Sequence, residues 1–102
     1  MTHSFPTGFW WGSASSAPQT EGNSLGGGKS ATVWDHWFSQ QPNRFHQQVG
    51  PQDTSTFYQH WRDDIALLKQ VGHNSFRTSI SWARLIPNGR GAVNPDAVSF
   101  YN

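Results

Sequence analysis

The chain reads as α/β, two parallel strands each followed by a helix, and three observations predict this. An aromatic run, Phe9-Trp10-Trp11, loses its bulk into Gly12-Ser13-Ala14 and ends in a turn, as a strand does where other groups approach its backbone closely. Phe57, Trp61, Ile65 and Leu68 recur at spacings of four, four and three, which puts them on one apolar helix face. His73 to Ser81 then alternates, with Phe76, Thr78 and Ile80 on one side and Arg77, Ser79 and Ser81 on the other, the period of a strand. Strand, loop, helix, strand, loop and helix start, in that order, imply parallel strands joined by right-handed crossovers.

Each element follows from its residues. Phe5-Pro6-Thr7-Gly8 makes a lead-in turn, and residues 9–14 make a buried strand. Gln19 and Glu21 fall in the turn just past that strand's carboxyl end, where α/β sheets and barrels place their ligands. Asn23 to Lys29 is a glycine-rich, flexible loop without the spacing of a phosphate cradle. Ala31 to Phe38 suits one or two helical turns, with Val33, Trp34, Trp37 and Phe38 on one side, and Gln40 to Gln52 is a proline-punctuated loop. Asp53 suits the N-cap of a helix running to Val71 and closed by Gly72. Trp82 to Ala92 reads as loop. Asn94-Pro95-Asp96 opens a second helix with an N-cap, a proline in the first turn and an early acid. That helix is about two turns long at Asn102, so the 102 residues are expected to be part of something larger.

Composition narrows the functional classes. Aromatic residues make up 15% of the chain, six of them Trp, while charged residues make up only 13%, about half the usual share. So much aromatic surface with so few charges suits a chain that packs against more partners than it carries. The net charge is +1 with the basic residues scattered, so no stripe points to nucleic acid or to an anionic membrane. No stretch approaches the ~20 apolar residues of a membrane span. The absence of cysteine removes disulfides and thiolate ligands and fits a reducing compartment. Met1-Thr2-His3-Ser4-Phe5-Pro6 lacks a basic region and an apolar run, so no signal peptide is expected and the location reads as cytoplasmic. The five histidines show no ligand spacing, so neither a metal nor a cofactor is expected.

Few residues could carry chemistry. Arg77 shares its strand face with Ser79 and Ser81; if that face points into a barrel, the guanidinium needs a carboxylate partner. Two readings stand: a structural pair with Glu21 or an aspartate of this chain, or an arginine that keeps a catalytic carboxylate ionised. Gln19 offers one acceptor and two donors, which suits neighbouring sugar hydroxyls, although a Gln in a turn is more often solvated or bonded to backbone. Glu21 is the sole glutamate; beside Gly22 it reads as a loop anchor bonded to nearby N–H groups more readily than as an acid–base group. Trp11, Trp34 and Trp82 lie in or beside the strand-end loops and could stack on sugar faces, Trp34 and Trp82 as site-lining residues, whereas most Trp residues serve packing. Trp61 belongs to the core, and Asp63-Asp64 to a solvated helix face. Glycoside hydrolysis takes two facing carboxyl groups, and no acid lies at the end of the second strand to form such a pair.

The motif Phe9-x-Trp11-Gly12-x-Ala14-x-Ser16-Ala17-x-Gln19-x-Glu21-Gly22 resembles the N-terminal signature of glycoside hydrolase family 1, the β-glucosidases and 6-phospho-β-glucosidases. Phe76 to Gly89 resembles that family's second-strand segment, and Phe100-Tyr101-Asn102 its second helix start. The resemblance covers nearly the whole chain and implies the first two βα units of a (β/α)8 TIM barrel, residues 1–102 being an N-terminal fragment of a single catalytic domain. It implies that Gln19 binds glycone hydroxyls and that Arg77 pairs with the nucleophilic glutamate. It also implies that both catalytic glutamates lie on later strands, so the catalytic set has no member here and the fragment alone is inactive. The family is retaining, one Glu attacking the anomeric carbon and the other serving as acid and then base, with carboxyls ~5 Å apart. Ser-Ala-Pro-Gln-Thr-Glu-Gly resembles the bacterial 6-phospho-β-glucosidase branch, so the implied partners are a β-glucoside or 6-phospho-β-glucoside substrate and the remainder of its own barrel. The chain departs from the pattern at Asn23 and at Pro18, which should stiffen the approach to Gln19 and push Ala17 to extended geometry. Two other readings remain from the residues themselves, a non-catalytic carbohydrate-binding module and a βαβ folding unit stable only when the rest of a barrel docks.

Overall fold

The computed structural model describes residues 1–22 and 26–102. Small side chains bring the first two elements together. Strand β1 (Gly12–Ala14) pairs in parallel with β2 (Ser75–Arg77), in the register Gly12 with Ser75, Ser13 with Phe76 and Ala14 with Arg77. A Cβ added at Gly12 would overlap the Ser75 backbone, lying 2.9 Å from its carbonyl carbon, so the close approach requires glycine. Asn74 secures the entrance to the pair: its side chain accepts from the Trp11 N–H at 2.8 Å and donates to the Phe9 carbonyl at 3.1 Å.

Both strands are shorter and more open than the sequence suggests. The expected strand over 9–14 is regular only from Gly12, and the expected strand over 73–81 only across Ser75–Arg77. A ladder exists only where a neighbour supplies partners, and here each strand has one neighbour. Beyond the ladder, side chains take over from backbone, Asn74 at the entrance and Ser79 at the exit. The expected burial of β1 is also corrected, since all three of its residues are exposed. Phe5, Phe9 and Trp11 pack against one another, with ring centroids 4.5–4.8 Å apart, around the expected turn over residues 5–8, which a bond from the Phe9 N–H to the Pro6 carbonyl closes.

Among the described residues five helices accompany the strands: α1 (Ala17–Thr20), α2 (Val33–Gln40), α3 (Phe57–Gln70), α4 (Trp82–Leu85) and α5 (Pro95–Tyr101). Helix α2 begins with a capping box in which Thr32 and Asp35 bond reciprocally. Helix α3 lays its apolar face where the periodicity puts it, Phe57 against Phe76 of β2 at 5.8 Å and both Phe57 and Trp61 against Phe100 of α5. It closes in a Schellman motif: Gly72, at φ +88°, donates to Lys69, and His73 donates to Leu68. The start of α3 differs from expectation. Asp53 lies in a separate 3-10 turn, Pro51–Asp53, and the N-cap is Thr56 in the left-handed region, with no side-chain cap. A tertiary contact replaces the local one, because the Glu21 carbonyl accepts the Tyr58 N–H at 3.0 Å. Asn94 caps α5 as expected, accepting from the Asp96 N–H at 3.1 Å.

Four further stretches depart from the sequence reading. Trp82 to Leu85 is one helical turn rather than loop, and the loop from Gln40 to Gln52 contains short 3-10 turns. Asn23 lies outside the described residues, as does part of the expected loop. Its described part, Gly26–Gly28, forms a 3-10 turn held by hydrogen bonds from Arg84 and Asn94, not a flexible run. Ala17 opens α1 instead of extending before Pro18. The extended residue is Ser16, one position earlier, because the Ser16 and Ala17 carbonyls accept from Thr20 and Glu21 and close the turn.

Among the described residues the buried positions are few and mostly polar: Ala17, Ala97, Glu21, Ser81, Arg84, with Gly22 and Gly50. Among the described residues no helix is long and apolar enough to cross a membrane.

Candidate functional site

The turn that carries Gln19 is pinned at both ends. Ser16 is the N-cap of α1, but its hydroxyl donates to the Gln19 side-chain carbonyl at 2.7 Å instead of accepting a backbone N–H. The Ala17 N–H, an orphan donor at the helix start, is accepted by Ser79 Oγ at 2.8 Å. At the other end Glu21 is the C-cap, its N–H bonded to the Ala17 carbonyl. Gln19 itself is exposed, with its side-chain oxygen already engaged and no partner for its amide nitrogen among the described residues. The bond is to a side chain, not to backbone.

Glu21 sits at the centre of the buried polar cluster. It is 4% exposed, and Arg84, which donates from Nε to its Oε2 at 2.9 Å, is 0% exposed. The Tyr101 hydroxyl donates to Oε1 and accepts the Ser81 N–H at 2.9 Å. Arg84 also donates from Nη1 to the Gly26 carbonyl at 2.7 Å and stacks over the Tyr58 ring, its Cζ 3.9 Å from the centroid. Burial pushes the Tyr101 hydroxyl well above its ordinary pKa, and its hydrogen bond to Glu21 adds to the rise. A carboxylate capped on both oxygens and shut away from solvent is poorly placed for acid–base work. It ties α1 to α4 through its side chain and to α3 through its carbonyl. Glu21 is therefore an anchor, with Arg84 and Tyr101 as its side-chain partners in place of the expected N–H groups.

Arg77 is different. It stands exposed at the end of β2, on the face shared by Gly12, Ala14 and Ser75, and its guanidinium has no hydrogen-bond or ion-pair partner among the described residues. Of the two readings of Arg77, the pairing with Glu21 or an aspartate of this chain is absent among the described residues. Glu21 belongs to Arg84, and the other described ion pair joins Lys29 to Asp35 at 3.0 Å.

Trp34 and Trp82 come together across one cleft of about 510 Å³, between α2 and the segment leaving β2. Ala17 and Pro18 line it, so the Gln19 turn forms part of its rim, while Gln19 and Arg77 do not line it. Trp82 is held by a bond from Nε1 to the Gly89 carbonyl at 3.0 Å. Lys29 and Asp35 contribute the charged wall. Burial alone would raise the Asp35 pKa, but hydrogen bonds from the Thr32 N–H and hydroxyl and from Lys29 outweigh it and hold the carboxyl below its ordinary value.

Sequence reasoning missed Arg84, Tyr101 and Ser79. Arg84 had one usable signal: the sole glutamate, next to a glycine and following a strand, needed a cation, and Arg84 follows the other strand. The bonds of Tyr101 and Ser79 leave no local trace.

Among the described residues, the Gln19 turn presents an unpartnered side-chain amide nitrogen, the neighbouring cleft two indoles, and the end of β2 a guanidinium without a carboxylate. The arrangement contains no facing pair of carboxyl groups among the described residues. The family model for glycosyl hydrolase family 1 matches residues 1–102. The chain is 56% identical over 98 residues to 6-phospho-beta-glucosidase GmuD of Bacillus subtilis (strain 168), covering 96% of this chain and 21% of that protein. It is 39% identical over 101 residues to Beta-glucosidase 12 of Oryza sativa subsp. indica, covering 97% of this chain and 20% of the relative. The β-glucosidase from Thermotoga maritima in complex with castanospermine superposes with a TM-score of 0.87 at 37% identity, across 96% of this chain and 22% of the other. The chain therefore spans about a fifth of the length of the curated relatives it matches.

Proposed function

The chain belongs to glycosyl hydrolase family 1 and carries the first two βα units of its (β/α)8 barrel; from that premise we propose that residues 1–102 are the N-terminal part of one catalytic domain, in a cytoplasmic retaining enzyme that hydrolyses 6-phospho-β-glucosides. The observation that carries the substrate class is the 56% identity to a 6-phospho-β-glucosidase, against 39% to a plant β-glucosidase. The lack of cysteine supports a reducing compartment.

In this reading Gln19 holds the glycone. Ser16 fixes its side-chain oxygen, which leaves the amide N–H groups to donate to neighbouring hydroxyls of the cleaved sugar. Arg77 supplies positive charge to a nucleophilic glutamate contributed by a later strand and keeps it ionised. That glutamate attacks the anomeric carbon while a second carboxylic acid, also from a later strand, protonates the departing oxygen. Water, deprotonated by the second residue, then releases the sugar with retained configuration. Trp34 and Trp82 offer flat faces to C–H surfaces of a ligand seated in their cleft. The reaction needs two carboxyl groups and water, and the residues described here bind and orient.

The test compares the full-length protein on nitrophenyl 6-phospho-β-glucoside and nitrophenyl β-glucoside. A higher kcat/KM for the phosphorylated substrate is expected. A preference for the free glucoside overturns the substrate class, and sugar binding without hydrolysis of either favours a carbohydrate-binding module. Turnover by the isolated 102-residue chain overturns the assignment of both carboxyl groups to later strands.

A further inference from the structure

The orientation of Gln19 depends on a residue outside its own turn. A helical turn of four residues has no cooperativity to hold it. Its usual internal support, an N-cap side chain accepting from the first N–H groups, is absent: the Ser16 hydroxyl is turned to the Gln19 amide oxygen, to which it donates. The missing acceptor comes from the second strand segment: Ser79 Oγ takes the Ala17 N–H at 2.8 Å, two residues after Arg77. The two serines divide the work. Ser16 sets which way the amide of Gln19 faces, and Ser79 sets where the whole turn stands relative to the strand that carries Arg77. Ala17 is buried at that junction, so the turn has little room to slide if the bond is kept.

We propose that Ser79 is a positioning residue that holds Gln19 and Arg77 in one fixed geometry, acting on the sugar through Gln19 and not by touching it. The inference rests on the sugar-binding role proposed for Gln19. A hydrogen bond that places a binding group matters to the rate because small displacements of such groups are costly, about 100-fold for 1 Å.

The experiment uses the full-length protein and a double-mutant cycle on whichever nitrophenyl glucoside it turns over. Ser79→Ala should lower kcat/KM roughly tenfold, as expected for a sub-ångström displacement. Ser79→Thr, which keeps the hydroxyl, should restore most of it. In a Gln19→Ala background the Ser79→Ala change should have almost no further effect, because the group it positions is gone. Additive losses in the double variant, or a Thr variant as impaired as Ala with its Tm unchanged, would overturn the proposal and leave the role of Gln19 standing. A Gln19→Ala variant with unchanged kcat/KM would overturn the sugar-binding reading and this inference with it.

Discussion

Two arginines, one at each end of the segment leaving the second strand, have opposite surroundings. Arg84 is fully enclosed, with Glu21 on Nε, the Gly26 carbonyl on Nη1 and the Tyr58 ring beneath its guanidinium. Arg77, seven residues earlier, is exposed and has no partner among the described residues. A buried guanidinium whose carboxylate lies in the same chain has its ion pair already made. One at the end of a barrel strand, with Gly12, Ala14 and Ser75 on its face, is in the proposed function half of a site. On that proposal the difference separates what the 102 residues complete by themselves from what they contribute to a larger catalytic centre.

Substitutions at the enclosed arginine should show the largest effect on stability. Arg84→Met leaves Glu21 as a buried carboxylate without its cation, and full-length protein should lose about 3–5 kcal/mol in denaturant unfolding. Arg77→Met in the same assay should cost clearly less, because no hydrogen bond or ion pair among the described residues depends on it; a comparable loss at both positions would erase the contrast. Tyr101→Phe removes the hydroxyl between Glu21 Oε1 and the Ser81 N–H and should cost about 1–3 kcal/mol for the polar groups left unpaired. Its pH dependence has a definite sign. The folded-state pKa of Tyr101 is raised, so its contribution is complete below the ordinary tyrosine value of about 10 and fades as pH rises above it. The wild-type and Tyr101→Phe stabilities should therefore converge at alkaline pH. After Arg84 and Tyr101 comes Asp35→Asn, about 1 kcal/mol at neutral pH through the capping box of α2 and the pair with Lys29. The Asp35 carboxyl pKa is lowered, so this difference should be present above a pH of about 4 and disappear as pH falls through the folded value.

The enclosed region was the harder of the two to read from sequence. Helix α3 announced itself because an apolar face repeated over 14 residues is hard to imitate, and Gly72 and Asn94-Pro95-Asp96 marked real boundaries because glycine, asparagine and proline restrict the backbone locally. The turns α1 and α4 did not, since four residues are too few to show a period. Asp53 looked like a cap for the same local reasons that Asn94 is one, but the start of α3 is satisfied by the Glu21 carbonyl, more than thirty residues away in sequence. The ion pair of Glu21 with Arg84 spans 63 residues, and nothing in the spacing favours Arg84 over Arg77 as the partner. The strand extents failed for another reason: the aromatic and alternating patterns describe strands with neighbours on both sides, while only one neighbour is present for each.

The contrast comes down to whether Arg77 serves a carboxylate that this chain does not contain. The pH dependence of kcat/KM in full-length Arg77→Met tests it most directly. If Arg77 keeps the nucleophilic glutamate ionised, removing its charge raises that pKa, and the acid limb of the profile should move up by about 1 pH unit or more. The Tm should stay near wild type. An acid limb that stays in place, with activity lost only in proportion to a fall in stability, would contradict the account and make Arg77 structural like Arg84.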